Sequence, residues 1–228
     1  MISLAFALLA DGRFPTGGHV HSGGVEAAVT DGRIGGLDDL EAFLVGRLHT
    51  GAGTEAALAA ATVFRLTGGP ATAALFDALD AEAEARITPA PLRVASRRLG
   101  RQLVRVAAPC WPSAALAALV ATFPAGAHLP VALGSVATSA GLEPVDAARL
   151  ALHHSVTTAV QAAVRLLGLD PFAAAALTAR LGTAAEGVAV AVSVLATGPL
   201  ADLPATSAPI LDIAAAEHAA RDGALFAT

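Results

Sequence analysis

Asp11-Gly12-Arg13-Phe14-Pro15-Thr16-Gly17-Gly18-His19-Val20-His21-Ser22-Gly23-Gly24-Val25-Glu26 is a densely polar, glycine-rich run in a chain otherwise dominated by Ala, Leu and Val. Its two Gly-Gly pairs predict positive φ angles or close backbone approach, conformations that glycine enters without steric cost. The apolar residues 2–10 before it read as a short helix, and Val25-Glu26-Ala27-Ala28-Val29 as the start of another. Ser22 is placed to accept from a free N–H at the start of that second helix. The loop is therefore a tight helix–helix connection, and the same pattern of helices punctuated by Gly and Pro continues down the chain.

Residues 37–49 carry Leu37, Leu40, Phe43, Leu44 and Leu48 at helical spacing, with Asp38, Asp39 and Glu41 in the first turn where the helix dipole favours them. Gly51 and Gly53 predict a break, and Thr54 a cap for a helix over 56–66. A further helix spans 71–86, acidic in its second half. Pro89 and Pro91 introduce a helix over 92–107 with Leu92, Ala95, Leu99, Leu103 and Val106 as its expected buried stripe. Arg93, Arg97, Arg101 and Arg105 recur every fourth residue on that helix, flanked by Arg98. They read either as a solvated face pairing with the acidic helix before it or as a docking stripe for an acidic surface. Short helices follow at 113–122 and 130–140, a long one at 144–167, and two more at 171–181 and 184–196. Residues 198–209, with Pro199, Pro204 and Pro209 among small residues, read as a flexible connection to a weak helix over 210–220. The expectation is one all-α domain, a bundle of roughly ten helices: a core over 1–197, then a Pro-containing linker and partner-binding tail over 198–228.

Composition narrows the function classes. Apolar residues make up 55% of the chain and charged ones 14%. The uncharged stretch 106–142 is cut by Pro109, Pro112, Pro124 and Pro130 into pieces shorter than the roughly 20 apolar residues of a spanning helix. No membrane segment is expected. The single Cys110 precludes an internal disulfide and fits a cytoplasmic protein. A net charge of −5 argues against nucleic acid as a partner. An Ala-rich bundle packs its helices closely but leaves apolar surface over, which points to partner proteins.

The opening loop, in the form L-x-D-x-x-F-P-T-G-G-x-x-H-S-G-G-x-E, resembles the N-terminal signature of the urease accessory protein F family, UreF. Residues 86–105, R-I-T-P-A-P-L-R-V-A-S-R-R-L-G-R-Q-L-V-R, are similar to that family's central helix, and Glu217 with Leu225-Phe226 resembles its C-terminal tail. The three matches lie in family order across nearly the whole chain. The resemblance implies an all-α, non-enzymatic chaperone or adaptor for nickel insertion into apo-urease. It also implies partners: UreD (also called UreH), the GTPase UreG whose hydrolysis it modulates, apo-urease, and a second copy of the chain in a homodimer. Carried over by motif, the partner-binding residues are Pro15, Gly17, Gly18, His21, Ser22, Gly24, Glu26, Ser96, Gly100, Arg101, Gln102, Arg165, Glu217, Leu225 and Phe226. Two departures stand out: the family's arginine before Leu-Phe is Ala224, with Arg221 nearby, and the glutamine of the family's loop after Arg165 is absent from Leu167-Gly168-Leu169-Asp170.

Two other classes are readable in the residues. A small metal-dependent hydrolase would use His19, His21 and Glu26, but no third ligand follows at a recognisable interval, and no nucleophile, base and orienter are spaced as a set. The chain lacks lysine and the phosphate-binding G-x-x-x-x-G-K-[ST], so it is not itself a P-loop GTPase. A generic helical binding module for an acidic partner is the third reading. Neither a cofactor nor a metal site is expected.

Overall fold

The computed structural model describes residues 3–218 and 225–226. Among these residues there are eleven α-helices and no strand. The helices are α1 (Leu4–Ala10), α2 (Val25–Thr30), α3 (Leu37–Leu48), α4 (Gly51–Gly68), α5 (Ala73–Arg86), α6 (Ala90–Ala107), α7 (Ala114–Thr122), α8 (Leu129–Ser139), α9 (Pro144–Leu167), α10 (Pro171–Leu195) and α11 (Pro209–His218), with short 3-10 turns at Gly18–Val20 and Leu200–Asp202. The fold is a single all-α unit.

The centre is α4, packed against α8, α9 and α10. Its Ala56, Ala57, Ala59, Ala60 and Ala61 are fully buried. Small side chains let the axes approach, and Gly134 marks the tightest point. A Cβ there would lie 2.5 Å from the Ala59 carbonyl oxygen and from Thr62 Cβ. Close approach replaces bulk as the source of dispersion contacts, as the composition implies.

Three boundaries differ from the sequence reading. The break expected after the 37–49 helix is present, but α4 starts at Gly51 and not after Thr54, so Gly51 and Gly53 lie in its first turn, where the chain reverses at the end of α3. A Cβ on Gly53 would sit 2.8 Å from the Leu48 carbonyl oxygen, so the turn itself needs glycine. Thr54 is consequently internal, and its hydroxyl bonds the Thr206 carbonyl at 3.1 Å. The helices expected over 171–181 and 184–196 are one, α10, because an internal glycine costs only about 1 kcal/mol and Gly182 sits in open space. As one 25-residue helix α10 is long and apolar enough, by length and composition, to cross a bilayer. It instead lies against α3, α4 and α9, tied by the pairs Arg180–Glu41 and Arg149–Glu186. Finally, α6 buries Ser96, Gly100, Leu103, Val104 and Ala107, while Leu92, Ala95, Leu99 and Val106 are half-buried. The reason is again proximity: Gly100 and Ser96 meet the backbone just before α8, which leaves no room for leucines there.

Local capping follows ordinary rules. Ser3, Thr72, Ser113 and Asp170 each accept from the first turn of the helix they precede. Asp170, at the end of the Leu167-Gly168-Leu169-Asp170 loop, thereby starts α10. The carbonyls at the end of α1 are satisfied across the fold. His153 Nε2 donates to Ala10 at 3.0 Å and His154 Nε2 to Leu9 at 2.8 Å.

Burial pushes the His154 imidazole down from its ordinary 6.5 to about 4. Above pH 6.5 neither folded nor unfolded chain carries this proton. As the pH falls toward 4 the unfolded chain takes it up first, so stability is lost across that window, by up to about 3 kcal/mol. Thermal unfolding should show the slope between about pH 6.5 and 4, and His154→Gln should flatten it. An unchanged slope in that variant would assign the pH dependence elsewhere.

Candidate functional site

The signature loop builds its shape from the glycines. Gly17, Gly23 and Gly24 have φ of 83°, 62° and 89°. Gly24, in the left-handed region, is the N-cap of α2, while Ser22, two residues earlier, accepts the Glu26 N–H at 3.3 Å. Ser22 is completely buried and His21 nearly so. Gly23 turns its carbonyl to Arg47 Nη1 at 2.7 Å, and Arg47 Nε donates to Ser155 on α9 at 2.8 Å. One guanidinium thus ties the loop to α3 and α9.

Glu26 faces the other way. Its Oε1 accepts the Leu225 N–H at 2.7 Å and its Oε2 the Phe226 N–H at 3.0 Å. A carboxylate that receives two consecutive backbone amides holds an extended segment by charge-assisted bonds. His218 Nε2 lies 3.3 Å from both Glu26 Oε2 and the Phe226 carbonyl, so a proton on that nitrogen can serve either. The Phe226 ring is buried, and the Arg165 guanidinium stacks over it at 4.6 Å from the centroid. Leu225, the neighbouring residue, is 79% exposed.

The third motif joins on α6. Gln102 Nε2 donates to the Pro15 carbonyl at 3.1 Å, and Gly17 lies under Gln102 and Leu99. Gly18 approaches Thr158 of α9. Pro15, Gly17, Gly18, Gln102, Glu26, Arg165, Leu225 and Phe226 are therefore linked by contacts among the signature loop, α2, α6, α9 and residues 225–226. Other candidates are spent differently. Ser96 Oγ accepts the Leu129 N–H at 2.9 Å, and Gly100 is packed under Ala127. Arg101 and Glu217 are exposed. The side chain of His19, and residues Arg221 and Ala224, lie outside the described residues.

Between the loop, α4, α6, α9 and α11 lies a cavity of about 300 Å³. Arg47, Glu55, His154, Asp212 and His218 are among its lining residues. Burial pushes the Glu55 carboxyl up, an effect that nearby Arg47 opposes, and burial likewise raises Asp212. The linker forms part of the cavity wall and has fixed partners: Arg86 donates to the carbonyls of Leu200, Leu203 and Pro204, and Arg65 to that of Gly198. No group of three or more His, Cys, Asp or Glu side chains is placed to share a metal ion among the described residues.

Sequence reasoning missed a second polar cluster. His128 is fully buried, its N–H donating to Asp80 at 2.8 Å and its Nε2 lying 2.7 Å from Glu84. Arg97 bridges Asp80 and Glu84 at 2.8 and 2.9 Å, and Arg93 adds a contact to Glu84 at 2.9 Å. The hydrogen bond to His128, then Arg97, holds the Glu84 carboxyl below its ordinary value. The signal was the acidic second half of α5, whose arginine partners were legible and whose histidine was not. The cluster clamps α5, α6 and the start of α8.

The UreF family profile matches residues 34–182. The chain is 44% identical over 221 residues to the urease accessory protein UreF of Mycobacterium sp. (strain JLS), covering 96% of each. It is 44% identical over 230 residues to that of Mycolicibacterium vanbaalenii, covering 100% of each. With the urease accessory protein UreF of Mycobacterium tuberculosis (strain H37Rv) it shares 42% identity over 228 residues, 99% of each.

Proposed function

From the premise that this chain belongs to the UreF family of urease accessory proteins, we propose that it is a non-enzymatic adaptor in nickel insertion into apo-urease. In this reading it bridges UreD and the GTPase UreG in the cytoplasm, and nickel is the cargo of the assembly. The observation that carries the proposal is the meeting of Glu26 with Leu225 and Phe226 under Arg165. Residues from the two ends of the chain and from α9 meet in one clasp, through backbone amides and a stacked cation, which leaves Leu225 and Arg165 exposed beside it. That is how a shape is presented to another protein. Ser22 is sealed in the core and occupied as an acceptor, which leaves it ill-suited to be a nucleophile.

The exposed face of α10 supports a homodimer. Ala175, Ala179, Val190 and Val194 lie on it without cover, and Phe172 is 85% exposed at its start. An uncovered row of small apolar residues on a 25-residue helix suits a second copy of the same helix.

The test is reconstitution. Co-expressed with UreD, UreG and the urease subunits, the chain should co-purify with UreD and UreG and be required for urease activity, while showing no turnover alone. Deletion of residues 208–228 should leave a helical protein that loses most of its UreD. Activity of the urease without the chain, or full UreD retention by the truncated chain, would refute the adaptor reading or the role of the tail, respectively.

A further inference from the structure

The arginine row on α6 divides into two parts in the fold. Arg93 and Arg97 turn toward α5 and are consumed by Asp80 and Glu84. Arg98, Arg101 and Arg105 are exposed. Among the described residues their side chains have no hydrogen bond, ion pair or ring contact. The other described arginines are all engaged: Arg13, Arg33, Arg86, Arg149 and Arg180 with carboxylates, Arg47 and Arg65 with loop groups, Arg165 with Phe226. In an acidic chain with only 14 basic residues, the described arginines lacking a partner thus fall on one face of one helix.

Their spacing, i, i+3 and i+7, sets them in a straight row about 10 Å long. Val94, four residues before Arg98 and 68% exposed, continues the row with an apolar end. The helix beneath is closely packed. Gly100 is locked under Ala127, and Gly126 packs beside Arg101. Three unpaired guanidinium groups on one helix face match a row of carboxylates at helical spacing.

We propose that Val94, Arg98, Arg101 and Arg105 form a docking strip for an acidic helix of a partner protein in the assembly described above. The proposal rests on the adaptor reading. A protein partner is favoured over a polyanion for two reasons. The basic strip is one residue wide with an apolar end, and the chain's net −5 charge opposes an extended array of phosphates.

The experiment compares the full-length chain with Arg98→Glu/Arg101→Glu/Arg105→Glu and Arg98→Lys/Arg101→Lys/Arg105→Lys. Affinity for purified UreD, UreG and apo-urease of the same organism is measured at about 0.05 and 0.5 M salt. The glutamate variant should lose about tenfold or more in affinity for one of these proteins, with a flattened salt dependence, at unchanged helix content. The lysine variant should stay close to wild type. Equal binding by the glutamate variant to every partner that wild type binds would overturn the strip and leave the adaptor reading standing. Wild-type chain that binds none of the three would overturn the adaptor reading and the strip with it. Wild-type binding to duplex DNA or phosphatidylserine vesicles, abolished by the glutamate variant while protein binding persists, would also overturn the strip.

Discussion

Gly100→Ala is expected to destabilise the chain by about 3 kcal/mol or more, lowering the melting temperature by roughly 6–12 °C. The added methyl would stand 2.2 Å from the Ala127 carbonyl oxygen and 3.2 Å from Ala132 Cβ and the His128 carbonyl carbon. The first obstacle is backbone, so a rotamer change cannot relieve it. Moving that backbone disturbs His128, whose N–H and ring are committed to Asp80 and Glu84. Either α6 separates from α8 or the buried polar cluster opens, and both leave groups unsatisfied. Gly182→Ala is the contrasting case. It lies within α10 with nothing nearby, and should gain up to about 1 kcal/mol from helix propensity. Thermal unfolding followed by circular dichroism separates the two. A Gly100→Ala protein melting within about 2 °C of wild type would show that the α6–α8 contact yields more easily than its geometry allows.

Glu26→Ala should release the tail. The carboxylate holds the amides of Leu225 and Phe226, and charge-assisted bonds of this kind are worth about 1.5–3 kcal/mol each. Against the entropy of ordering the segment, a net loss of about 3 kcal/mol corresponds to roughly 10²-fold less hydrogen-exchange protection at those two amides. The Arg165 contact with Phe226 should go with it, and UreD co-purification should fall as it does on deleting residues 208–228. Glu26→Gln keeps an acceptor without the charge and belongs between the two. Protection at Leu225 and Phe226 that does not change in Glu26→Ala would mean that ring burial alone docks the tail.

Both effects concern residues that the family motif singled out together, yet their physical roles differ. Gly100 is a packing requirement between two helices. Glu26 is a clasp for the far end of the chain. Gln102 belongs to a third kind, a side chain that fastens the signature loop through Pro15. Motif membership alone could not sort them, because each role depends on what lies opposite in space.

Much was nevertheless legible in order. Local rules carry the helices: Pro144 and Gly168 bracket α9, and Ser113 starts α7, because capping and breaking act within a few residues. The positive φ angles at Gly17 and Gly24 were also expected from the glycine pairs. The errors came where a local signal was overruled by packing. Leu99 was read as part of the buried stripe and Gly100 as a partner-binding residue, whereas close axes put the smallest residue innermost. Gly182 was read as a break, but neighbours along α10 keep the helix continuous.

By itself, then, the sequence determined the helical class, most helix ends and the identity of the glycine-rich loop, since these depend on dihedral preference and on periodicity within a few turns. Only the tertiary structure decided which charges are spent and which are free. Arg93, Arg97, Arg101 and Arg105 are indistinguishable by spacing, and only the position of α5 neutralises the first two. Likewise Glu26 and Phe226 are separated by 200 residues, and no local rule brings a carboxylate to that amide; only the packing of α2 and α11 does.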